Sequence, residues 1–273
     1  MRALFVLAIA CPLLAQDAHE IVRRAVDLDK NNGDNWRNFT YVQHQIDRQF
    51  EGSGKVKSAA DRTWDVTFHE GSPYRRLIAR NGVPLSAEEQ KAENEKMEWN
   101  IAERRKESKE QRERRIAEWR KRADRQREPL NEVPDAFDFQ IVREEPIHGA
   151  AAWVIDGTPK PHYKPKSSSA SILQKMKARF WISKRDYHWI KLEAETLDTF
   201  TYGAFLLRIG KGAHIIMEQA RVSGDVWLPT HIGLSGSARI LLVKGIHAEL
   251  DLTYSDYKKF VVDSRVVRTG ENQ

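Results

Sequence analysis

The sequence predicts an α+β protein: an antiparallel sheet, an N-terminal helix against it and a long, highly charged helical insertion. Three observations lead there. From Phe137 to Phe260, short alternating runs are separated by tight turns, as in strands that follow one another in one antiparallel sheet. Ala18, Ile21, Val22, Ala25 and Val26 recur at helical spacing. Ser86–Glu128 contains neither Gly nor Pro and is dominated by Glu, Lys, Arg, Gln and Ala.

The N-terminus reads as an export signal. Met1-Arg2 is a short basic start, Ala3–Ala10 an apolar run, and Leu13-Leu14-Ala15 a small-residue cleavage site, which predicts a secretory signal peptide over 1–15 and a mature periplasmic chain from Gln16. The run is too short to span a bilayer, and no later segment reaches the roughly 18–20 consecutive apolar residues that spanning needs. Leu7–Cys11 offers the alternative of a lipobox-like cut with a lipid on Cys11. Cys11 is the sole cysteine, so cleavage after Ala15 leaves no disulfide, thiol nucleophile or thiolate metal site.

Residues 16–85 then hold the helix Ala18–Leu28, stopped by Asn31-Asn32-Gly33, and the first strands, Phe39–Phe50, Arg62–His69 and Pro73–Arg80. Residues 86–128 are the insertion. Ser86 with Glu89 is a capping box, and Pro129 is expected to end a single helix on the order of 60 Å long at about 1.5 Å per residue. Its apolar stripe is thin: Met97, Ile101, Ile116, Trp119 and Ala123. The expectation is a solvated arm, or a helical pair docked only at its ends, whose removal costs the fold little. Its near balance of acids and bases argues against nucleic acid, where phosphate neutralisation wants net positive charge.

Residues 129–262 carry the remaining strands, Phe137–Glu145 and Ala151–Pro159, then the hairpin Arg179–Asp198, and later Ala213–Val222, Trp227–Leu234, Ser237–Lys244 and Ile246–Tyr254. Phe200–Gly212 reads as irregular, and 263–273 as a polar tail. In the hairpin, Phe180 and Ile182 lie on one strand and Ile190, Leu192 and Ala194 on the next. If the strands are sequential neighbours, Phe180, Ile182, Ile190, Leu192, Leu228, Ile232, Ile240, Leu242, Leu250 and Leu252 share one face. That is more apolar surface than one short helix covers, so the face is expected to bind something. Phe205-Leu206-Leu207, between Gly203 and Gly210, is the candidate lid.

No reaction is announced. His19-Glu20 and His69-Glu70 lack the second His of a zinc-protease motif, Gly233-Leu234-Ser235-Gly236-Ser237 misses the closing Gly of a nucleophile elbow, and Glu193 and Glu195 share a strand face with Lys191. The expectation is no catalytic residue, no metal and no cofactor. The charge is more informative: the net +6 is concentrated after Pro159, where Lys160, Lys164, Lys166, Lys175 and Lys177 form a candidate contact with an anionic surface. Each such residue is worth about 1 kcal/mol near acidic lipid.

The segments ARFWISKRDYHWIKLEAE (Ala178–Glu195) and VWLPTHIGL (Val226–Leu234) resemble the periplasmic lipoprotein-carrier superfamily, the group of LolA, LolB and RseB, over roughly the last 130 residues. The resemblance implies a strongly curved sheet, an unclosed β-barrel, whose concave apolar face holds acyl chains under helices. The insertion departs from that pattern. The expected function is therefore non-enzymatic binding of a lipid, an acyl chain or a lipoprotein in the cell envelope, with contact to a membrane surface. The alternative is an interaction or scaffold protein that works through its charged arm. A hydrolase with dispersed site residues is the third class.

Overall fold

The computed structural model describes residues 17–32, 35–202, 207–240 and 246–259. The expected signal peptide over 1–15, Cys11, Phe205, Leu206, Leu242 and the expected tail over 263–273 lie outside them. Leu207 and Ile240 are described as backbone only.

Helix α1 (Ala18–Asn32) buries Ile21, Val22, Ala25 and Val26, the stripe that its spacing predicts. Its outer side is laced by Arg23 to Glu20 and Asp27. The strands β1 (Phe39–Phe50), β2 (Val56–His69), β3 (Ser72–Arg80) and β4 (Val83–Pro84) follow as hairpins. After the insertion come β5 (Phe137–Ile147), β6 (Ala150–Pro159), β7 (Met176–Ser183), β8 (Trp189–Thr196), β9 (Phe200–Tyr202), β10 (Leu207–Ile209), β11 (His214–Ser223), β12 (Val226–Ile240) and β13 (Ile246–Lys259). All pair antiparallel in one sheet, in the order β4-β3-β2-β1-β13-β12-β11-β8-β7-β6-β5. The sheet is not closed into a barrel. Its two halves join where β13 pairs with β1, from Phe39 opposite Lys259 to Phe50 opposite His247.

Two details differ from the sequence reading. Ser235-Gly236 is not a turn: β12 runs through it as one strand, because β11 and β13 supply partners on both sides. Phe200–Gly212 is not irregular throughout, since β9 and β10 form a small hairpin on the end of β12.

The insertion differs more. It is two helices, α2 (Ala87–Lys106) and α3 (Lys109–Ala136), with a break at Glu107-Ser108. Ser108 caps α3 through a second capping box with Gln111, so the chain turns where a new N-terminus is satisfied. Pro129 and Pro134 lie inside α3 and do not end it. Each proline forfeits one backbone hydrogen bond. Burial of Glu132, Val133, Pro134 and Ala136 against α1 and the 3-10 segment Ser169–Lys175 offsets that loss.

The helical pair is not a free arm. It straddles the β2–β3 hairpin, whose two-residue turn Glu70-Gly71 has φ of 49° and 82°, as the right-handed strand twist favours. Register puts Phe68 on one side of β2 and Asp65 and Thr67 on the other. On the Asp65 side, Arg76 bridges Asp65 and Asn94 of α2. On the Phe68 side, Trp119 of α3 meets Phe68 and Trp36 edge-on, with centroids at 5.8 and 5.4 Å. At the elbow, Arg104 donates to the carbonyls of His69, Ser72 and Pro73, and Arg115 to that of Glu70. Five apolar residues sufficed because arginines cap a turn.

The core sits between α1, the end of α3 and strands β5–β8: Phe137, Ile155, Met176, Phe180, Ile182, Trp189 and Leu192 are buried there. Its polar members are satisfied. Asp29 accepts from Trp189 Nε1 at 3.2 Å and from Arg127 at 3.1 Å. The buried carboxylate of Glu132 accepts from Tyr163 Oη, the Lys166 N–H (2.8 Å) and Ser167 Oγ (3.1 Å), which ties down the Pro159–Ser169 loop. Those bonds, with Lys166 nearby, hold Glu132 below the usual carboxylate range although burial alone raises it.

Candidate functional site

Alternation along the strands carries the α1 face past the core onto β11, β12 and β13. Register makes two apolar rows there, Met217–Ile232–Leu252 and Ile215–Leu234–Leu250. The next row, Ala213–Gly236–Ala248, is small. Gly236 has φ +154°, and a Cβ on it would sit 2.6 Å from that of Ala213. Large rows beside a small one make a groove of about 310 Å³, walled by Ile172, Ile209, Ile215, Leu234 and Leu250. These rows are incompletely covered, and Leu234 remains 40% exposed. Towards β1 the surface turns polar, because Gln45 lies opposite Leu252, Asp47 opposite Leu250 and Gln49 opposite Ala248.

The structure divides the expected lipid-binding residues. Ile232, Leu250 and Leu252 are on the groove side. Phe180, Ile182 and Leu192 are packed under α1, where the space left is about 20 Å³, room for one water. Leu228 is 1% exposed. Ile190 is on the opposite face from Leu192: Trp181 pairs with Lys191 but Ile182 with Trp189, so Ile190 is the extra residue of a bulge and packs with Trp181, Val154 and Trp227. Sequence reasoning missed Ile172, Ile209, Ile215, Met217 and Leu234. Ile215, Met217 and Leu234 carried a signal in their alternation along β11 and β12.

The expected anionic-surface lysines are partly neutralised. Lys166 pairs with Asp135 at 2.7 Å, Lys177 with Glu195 at 2.8 Å and Lys175 with Asp198 at 3.6 Å. Lys164 is exposed. For chemistry, the closest arrangements are His44–Asp61 and His231–Asp251, each at 2.8 Å. Among the described residues neither ring is hydrogen-bonded to a hydroxyl, and no group of three or more His, Cys, Asp or Glu is placed to hold a metal. No described helix is long and apolar enough to cross a membrane.

No family model and no curated protein matches the sequence. Solved structures that align with the chain include members of the superfamily its hairpins resemble. A putative outer membrane lipoprotein-sorting protein domain from Vibrio parahaemolyticus is 10% identical, with 92% of this chain and 95% of that one covered, at a TM-score of 0.35. A LolA superfamily protein from Nitrosomonas europaea is 12% identical over 91% and 96%, at 0.30. The Mycobacterium tuberculosis lipoprotein LppX is 13% identical over 90% and 97%, at 0.29.

Proposed function

We propose that this chain binds an acyl chain, of a lipid or of a lipidated protein, in the groove over β11–β13, and that it does so in the cell envelope without catalysing a reaction. The observation that carries this reading is the pair of apolar rows left half-covered beside a row of Ala and Gly. Six large side chains in register would be sealed by a helix if they served packing alone; α1 instead ends on the core next to them. A groove of about 310 Å³ falls at the lower end of the roughly 300–1,000 Å³ of small-molecule sites. Ile172, Ile209, Ile215, Leu234 and Leu250 give it an aliphatic wall that suits a hydrocarbon, and Asp47, Arg48, His214 and Glu249 line it with polar groups. The polar edge at Gln45 and Asp47 leaves the head group in water.

Native mass spectrometry of protein purified from the envelope tests this. The expected spectrum shows a lipid adduct that an added fatty acid displaces; a bare chain that takes up no acyl probe would refute it. A second reading, in which the helical pair contacts a partner, has one observation in its favour: Trp99 on α2 is 66% exposed. Trp99→Ala should then weaken partner capture and leave acyl uptake unchanged.

A further inference from the structure

The opposite face of the sheet carries a separate groove, of about 620 Å³, at the end where the β5–β6, β7–β8 and β11–β12 turns converge. Its floor is firm. Ile190, brought to this face by the bulge, and Trp227 are both buried and pack with Trp181, Ala152 and Val154. Its rim carries three cations, two of them paired: Arg221 with Asp186 and, at 3.5 Å, with Asp225, and Lys184 with Glu144 at 2.6 Å. Arg221 also lies 5.8 Å from the Trp227 ring centroid. Arg185 is exposed and has no ion-pair partner among the described residues.

Beside this groove lies a cluster of unpaired polar atoms. Trp227 Nε1, His188 Nδ1 and Asp186 Oδ1 are buried and have no hydrogen-bond partner among the described residues. Trp227 and His188 are each 7% exposed, and their rings stack at 5.2 Å. Buried polar atoms are nearly always paired, and an unpaired one costs about 1–3 kcal/mol. Other such atoms, Arg76 Nε, Asn100 Oδ1 and Arg112 Nε, lie on β3 and the helical pair; what sets these three apart is that they fall together beside one groove. The free guanidinium of Arg185 can only donate, so what completes it is an acceptor with negative charge. The buried indole N–H of Trp227, under the groove floor, senses a ligand through its resonance.

We infer that this groove is a second binding site, for a small amphipathic anion whose acidic group lies between Arg185 and Arg221 and whose apolar body lies over Ile190 and Trp227. The site is independent of the acyl groove, which is on the other face of the sheet. The indole N–H resonance of Trp227 is the reporter, assigned among the eight tryptophans by Trp227→Phe. Titration of the full chain with 3-hydroxyoctanoate and with octyl phosphate should shift that resonance saturably; the stronger of the two identifies a carboxylate or a phosphate. Octanol should not. Arg185→Ala, at an exposed side chain with no ion pair to lose, should weaken binding at least tenfold, and Arg185→Glu should abolish it. Leu234→Glu, which disables the acyl groove, should leave the titration unchanged. A resonance that stays fixed with both anions, moves equally with octanol, or titrates normally in Arg185→Glu overturns the inference.

Discussion

Trp119→Ala tests whether the helical pair belongs to the fold. The ring makes edge-on contacts with Trp36 and Phe68, and the Arg37 guanidinium lies 5.1 Å from its centroid. Two aromatic pairs contribute about 0.5–1.5 kcal/mol each beyond burial, and a partly exposed cation–π contact about 0.5–1 kcal/mol. Trp119 is only half-buried, so the sum falls below the roughly 3–5 kcal/mol of a fully buried Trp truncation. About 3 kcal/mol is expected. For a domain of this size that lowers Tm by roughly 6–12 °C, at about 2–4 °C per kcal/mol. Urea and thermal unfolding followed by far-UV circular dichroism read it directly. Trp99→Ala, exposed on α2, is the matched control and should change Tm by no more than about 1 °C, as surface substitutions do. A Trp119→Ala protein that unfolds with the wild type would show that α3 does not dock on β2, and the straddled hairpin would be wrong.

The same geometry sets other outcomes. Gly71→Ala should destabilise by about 1–2 kcal/mol, since φ is +82° and the new Cβ would meet Ile116 Cδ1 at 2.5 Å; adding Ile116→Ala should recover only the steric part. Gly236→Ala should cost about 1–3 kcal/mol, because its Cβ would meet the Ala213 backbone at 2.8 Å, and it should narrow the acyl groove, read as weaker uptake. Glu132 has a folded pKa below its unfolded value, so its stabilisation is full above the unfolded pKa and is lost as pH falls through the folded one. Glu132→Gln should therefore be less stable than wild type at pH 7, with the gap closing below about pH 4 in urea titrations.

Much of the fold was legible because alternation is local. β1 is bounded as the sequence predicts, and Ile246, Ala248, Leu250 and Leu252 share the side that their spacing assigns. The site was less legible because face assignment accumulates along a strand. One bulge at Ile190 reverses its neighbours' relation, and nothing in Trp189-Ile190-Lys191 announces it. Phe180 and Leu192 were read as ligand-facing because the sequence does not say where α1 will lie along the sheet. The insertion was read as one long helix ended by Pro129 for another reason. Ser108-Lys109-Glu110-Gln111 is as good a capping box as Ser86-Glu89, but inside a charged run it reads as surface. Counting apolar residues also overlooked that Arg104 and Arg115 dock by capping carbonyls, a role that periodicity does not register.

The central claim is that hydrocarbon enters between the two apolar rows and the Ala-Gly row. A fluorescent fatty acid titrated into wild type and Leu234→Glu tests it most directly, because Leu234 is 40% exposed and its replacement should spare the fold. The account predicts saturable uptake of one chain by wild type, displaced by unlabelled fatty acid, and loss of at least tenfold in affinity for the variant at unchanged Tm. Uptake that is absent in wild type, or identical in the variant, would contradict it.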